Sequence, residues 1–77
     1  MGKKLTFRYD KVGDILTIET CPPYAEQESD ELDDEIVART NPRTGELESL
    51  EILFFTKRLS EKNILELPVT FEARLAV

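Results

Sequence analysis

The chain has one cysteine, no histidine, no tryptophan and three glycines in 77 residues. Each shortage excludes something. A lone Cys21 forms no internal disulfide, and without histidine or a second cysteine there is no donor set for a structural zinc. Cys21 also has no histidine to serve as its base, so papain-like or redox chemistry has no partner residue. The usual general base near neutral pH is missing too. Three glycines supply no phosphate-cradling loop, and Ser29, Ser49 and Ser60 carry no nucleophile-elbow glycines. No apolar run approaches the ~20 residues that span a bilayer. The segment 50–55 is interrupted by Glu51, and 75–77 is short. The single thiol and the absence of a signal-peptide pattern lead us to expect a reducing, cytoplasmic setting without membrane attachment.

Charge is uneven as well. The net charge is −6, yet no Lys or Arg occurs between Lys11 and Arg39. That interval holds nine acids: Asp14, Glu19, Glu26, Glu28, Asp30, Glu31, Asp33, Asp34 and Glu35. The remainder carries ten bases against seven acids. Such a strip repels a phosphate backbone and attracts a basic protein. We therefore expect no nucleic-acid partner. Lys57 and Arg58, next to Phe54 and Phe55, read as a helix face rather than a nucleotide platform. The acids do not make a calcium loop, because Asp30, Asp33 and Asp34 lack the alternate spacing and the central glycine. Their two readings are a solvated negative face and a docking strip formed by Glu26, Glu28, Asp30, Glu31, Asp33, Asp34 and Glu35.

What is present is strand and turn grammar for one small domain, residues 1–77. A chain of this size buries only roughly 60–65% of its unfolded surface. Its core must come from aliphatics plus Phe7, Tyr9, Phe54, Phe55 and Phe71, or from a partner surface, and we expect a homodimer. Leu5, Phe7 and Tyr9 alternate with polar residues and predict a first strand. Asp10 to Asp14 supply a turn, with Gly13 available for positive φ. Residues 15–20 predict a second strand with Leu16 and Ile18 inward. Cys21-Pro22-Pro23 ends it, and 25–35 reads as an exposed acidic link. Residues 35–40 predict a third strand. Asn41-Pro42-Arg43-Thr44-Gly45 suits a type I turn followed by a left-handed glycine, returning into a strand over 47–54. A short helix is predicted over 55–62, stopped near Asn63. From Leu65 onward every odd-numbered residue is apolar, which predicts a final half-buried strand over 65–77, with Pro68 at a sheet edge or bulge.

The expected fold is therefore α+β, mostly β: a small antiparallel meander sheet of four to five strands with one short helix. Tyr9-Asp10, then Gly13-Asp14-Ile15-Leu16-Thr17-Ile18, then Thr44-Gly45-Glu46-Leu47 leading to Leu50-Glu51-Ile52-Leu53, resembles the DUF2283 family of short bacterial proteins. The resemblance spans about residues 5–59, leaving 60–77 as a C-terminal extension. It implies a small sheet fold and carries no activity, catalytic residue or cofactor. Asp10 and Asp14 match that pattern. They read either as a two-carboxylate pair or as turn formers whose oxygens accept local N–H bonds. The expectation is of an uncharacterised, non-enzymatic interaction module with no catalytic, cofactor or metal site. Its more specific form is the acidic, antitoxin-like partner of a small basic protein; the alternative is an orphan domain that homodimerises through its sheet.

Overall fold

The computed structural model describes residues 4–70 and 72–76. Five strands and one helix follow in chain order: β1 Thr6–Asp10, β2 Ile15–Glu19, β3 Glu28–Asp33, β4 Ile36–Thr40, β5 Leu47–Leu53 and α1 Phe55–Lys62. The sheet is antiparallel throughout, with spatial order β1-β2-β5-β4-β3. It is meander-like: the β1-β2 hairpin and the β3-β4-β5 meander join where β5 pairs with β2. The α+β, mostly-β expectation stands.

The turns fold as their side chains dictate. The Asp10 carboxylate accepts from Val12 N and Gly13 N at 3.0 and 3.3 Å. The left-handed residue of this turn is Asp14 (φ 54°), not Gly13. Asn41 Oδ1 accepts from Arg43 N and Thr44 N, Gly45 N donates to Asn41 O at 2.8 Å, and Gly45 takes φ 74°. That is the geometry for which a glycine is selected after a type I turn.

Side chains alternate across the sheet. On one face lie Leu16, Ile36, Ala38, Leu50 and Ile52, all buried. Ile52 stands between Leu16 and Ile36 in the register and is fully enclosed. The other face is mainly polar. Arg39 pairs with Glu51 there, and Arg8 Nη2 reaches the buried Glu19 Oε1 at 3.1 Å. The segment after α1 lies over part of the apolar face, and α1 itself reaches the sheet at the β1 edge. Phe55 meets Tyr9 edge-on at 6.0 Å, and Leu67 and Val69 pack against Ile36, Ala38 and Leu50.

Three expectations need correction. First, the described residues after Lys62 contain no strand; Phe71 and Val77 lie outside the described set. The alternation marks one-sided burial only as far as Val69: Leu65, Leu67 and Val69 are half-buried, whereas Ala73 and Leu75 are exposed. A segment laid over a sheet face meets that condition without pairing, and Pro68 has no N–H to give a ladder. Second, the acidic link is an ordered strand, β3. Third, the core is aliphatic: Phe7, Tyr9 and Phe54 are 62%, 41% and 48% exposed. Phe54 has left the strand and takes φ 54° as the residue before α1.

Candidate functional site

The acidic residues form the rim of one sheet edge. Glu28, Asp30, Glu31 and Asp33 lie on β3, every residue of which is exposed. Glu26 sits in the turn leading into it, and Asp34 and Glu35 form the turn leading out, all three exposed. The seven do not share a face. Glu28 and Asp30 stand opposite Thr40 and Ala38, on the apolar side of the sheet, while Glu31 stands opposite Val37 on the other. Negative charge therefore surrounds the edge from both sides.

An acid-rich segment has low strand propensity. Its partner supplies the reason it pairs. Ile36 and Ala38 of β4 are 1% and 2% exposed, so their backbone groups cannot turn to water. Leu53 N donates to Glu35 O, which sets the β4 residues that bond β5 as the odd-numbered ones. The N–H and C=O groups of Ile36, Ala38 and Thr40 consequently face β3. The same alternation through Glu28↔Thr40 and Asp30↔Ala38 leaves the backbone groups of Ser29 and Glu31 pointing out of the sheet. A bulge between Glu31 and Asp33 ends this regular stretch. Charge on such an edge keeps unrelated strands from pairing with it and leaves it open to a strand of opposite charge.

A buried carboxylate positions the start of this strand. Glu48 shares the face of Leu50 and Ile52 and is 5% exposed. Its Oε1 accepts from Tyr24 Oη at 2.5 Å and from Gln27 Nε2 at 3.1 Å, and its Oε2 accepts from Asn41 Nδ2 at 3.4 Å. One acid thus ties the 21–27 loop and the β4–β5 turn to β5. Donation to Glu48, with burial second, pushes the Tyr24 hydroxyl up to about 12. The signal for this role in the sequence is that Glu48 falls in the apolar register of β5, two residues before Leu50.

The far end of the strip is fixed by Arg58. Its guanidinium donates to the carbonyls of Leu53 and Asp34, which joins α1 to the β3–β4 turn. Lys57 is exposed beside it. Asp14 does more than form its turn. Its carboxylate accepts from Tyr9 Oη at 2.6 Å and from Thr56 N and Oγ1 at 3.1 and 2.9 Å, and its carbonyl accepts from Phe55 N. A residue 42 positions away in sequence thereby caps the N-terminus of α1. The Tyr9 hydrogen bond, followed by those from the helix N-terminus, holds the Asp14 carboxyl below the usual carboxylate range. The same bond raises the Tyr9 hydroxyl. Asp10 and Asp14 thus act on separate partners within the hairpin and the helix cap.

Among the described residues, no group of three or more His, Cys, Asp or Glu is gathered as a metal site. No helix among them is long and apolar enough to cross a membrane. Comparison with family models, with curated proteins and with solved structures gives no match to this chain.

Proposed function

We propose that the chain is a non-enzymatic protein-interaction module whose acidic edge strand receives a basic strand of a small partner protein. The observation that carries this reading is β3: an exposed edge with four acids in six residues and outward backbone groups at Ser29 and Glu31. Main-chain pairing would supply affinity, and the flanking carboxylates would supply selection for lysine and arginine. On this reading the chain acts as the acidic, antitoxin-like member of a two-protein pair, in a reducing cytoplasm that suits a single cysteine. The DUF2283-like pattern adds the sheet scaffold and no activity.

Association with the basic protein recovered by pull-down should be steered by charge. The on-rate is expected to fall about tenfold or more as salt rises past 0.1 M, where the Debye length is about 10 Å. Replacing Glu28, Asp30, Glu31 and Asp33 by the neutral amides should slow association to a similar degree at low salt, measured by stopped flow. The melting temperature should hold or rise, because these exposed like charges repel one another. A quadruple variant that associates at the wild-type rate in low salt contradicts the reading.

A second reading is self-association of a homodimerising domain through the sheet. It is favoured by Phe7, which leaves 62% of its surface in water on the opposite edge strand.

A further inference from the structure

The acids of β3 are unevenly divided between the two faces of the sheet. Glu28 and Asp30 stand opposite Thr40 and Ala38, on the apolar side. Simple alternation would send Asp33 to the other side with Glu31. The bulge between Glu31 and Asp33 inserts a residue, so Asp33 pairs with Ile36 and returns to the apolar side. Three of the four acids of the strand thus share one face. On the other face the edge carries Ser29 and Glu31. There Arg39 stands opposite Ser29, reaches its Oγ at 3.5 Å and pairs with Glu51, so a cation already lies beside Glu31. Asp33 borders a cleft with Arg58, Glu61, Lys62 and Glu66, where both signs of charge meet. Among the described residues no cation pairs with Glu28 or Asp30.

Backbone phase ties this asymmetry to a partner strand. Ser29 and Glu31 turn their N–H and C=O groups outward, whereas those of Glu28 and Asp30 face β4. In antiparallel addition, a residue opposite Ser29 or Glu31 exchanges both backbone bonds with it and shows its side chain on the Ser29 side. A residue opposite Glu28 or Asp30 turns its own N–H away from β3 and shows its side chain on the acid side. Every pair already in the sheet is antiparallel, and that ladder is the more stable per residue.

We infer that the partner segment carries basic residues at every second position and adds antiparallel to β3 with those residues' own amides pointing away from it. The inference rests on the strand-addition reading above and goes beyond it in naming the partner's direction, spacing and bonded amides. Basic residues opposite Glu28 and Asp30 form direct cross-strand pairs of opposite charge, which stabilise a ladder. The same residues shifted by one place would stand opposite Ser29, with the Arg39 guanidinium behind it. The intervening residues of the partner need backbone N–H groups and no charge.

The test titrates the full chain with a short peptide of alternating lysine and threonine, blocked at both ends, and follows amide exchange at Ser29 and Glu31. Two further forms carry N-methyl groups, one on the backbone nitrogen of every lysine, the other on that of every threonine. A methyl on an amide that bonds β3 removes the donor and collides with the edge. A methyl on an outward amide does neither. The unmethylated and lysine-methylated peptides should both protect Ser29 and Glu31, at similar concentrations. The threonine-methylated form should bind about tenfold or more weakly. Glu28→Gln combined with Asp30→Asn should weaken the unmethylated peptide about fivefold to tenfold, and Glu31→Gln about twofold or less. All three positions are exposed, so these variants should keep the wild-type circular dichroism spectrum. An unmethylated peptide that leaves both amides unprotected at millimolar concentration overturns strand addition at β3 and this inference together. Binding that survives threonine methylation and is lost on lysine methylation overturns this inference and leaves the docking edge standing. Equal tolerance of the two methylated forms, or a larger loss from Glu31→Gln than from the double variant, does the same.

Discussion

Replacing Ile52 by alanine is expected to cost about 3–4 kcal/mol, because a fully enclosed branched side chain is lost from a site that cannot collapse. Ile52 sits in the central strand β5 with Leu16 on one side and Ile36 on the other. Both neighbours are held by their own ladders, so neither moves far enough to fill the void. A single core in a chain of this length supplies only about 3–5 kcal/mol of net stability. The variant should therefore be close to half unfolded in water, with a denaturant midpoint near zero. Ile52→Val, which removes one methyl group, should cost only about 1 kcal/mol and leave a clear folded baseline. Urea titration of the two variants, followed by circular dichroism, measures both effects.

The second large effect concerns Glu48. Truncation to alanine strips the acceptor from Tyr24, Gln27 and Asn41 at once. Tyr24 is partly exposed and rehydrates, whereas Gln27 and Asn41 are half-buried, so the expected loss is about 2–3 kcal/mol rather than three full charged hydrogen bonds. Glu48→Gln keeps an acceptor oxygen and should lose less. The alkaline limb gives a separate readout. In the folded chain Tyr24 keeps its proton up to about 12, against about 10 for an ordinary tyrosine. A raised folded value means that this contribution is complete below pH 10 and disappears as pH climbs from 10 to 12. Tyr9 shifts in the same direction, so the Glu48→Ala variant isolates the Tyr24 share: its stability should fall less steeply over that window. Because Glu48 anchors the loop that enters β3, the same variant should weaken partner binding without touching an acid of the edge.

Much of the scaffold is legible from residue pattern. The strands at β1, β2, β4 and β5 and the helix over residues 55–62 follow from alternation, β-branched runs and turn residues. Two features escape local reading because their causes lie elsewhere in the chain. β3 carries one large apolar residue, Leu32, and folds as a strand because buried β4 backbone groups require a ladder partner. The segment from Leu65 alternates in hydrophobicity yet lies over the sheet face, and nothing in an alternating pattern distinguishes a covering segment from a paired one. The acids of the candidate edge are obvious as composition. Their splitting between two faces is visible only once the β3–β4 register is known. The roles of Glu48 and Asp14 likewise depend on partners 21 and 42 residues away, beyond the reach of a turn or a helical period.

Backbone amide exchange at Ser29 and Glu31 tests the docking edge most directly. In the chain alone both N–H groups point out of the sheet, and they should exchange far faster than those of Ile36 and Ala38 in the neighbouring strand. On saturation with the basic protein recovered by pull-down, strand addition at β3 predicts strong protection at Ser29 and Glu31 together. A bound complex in which these two amides exchange as freely as before would contradict it.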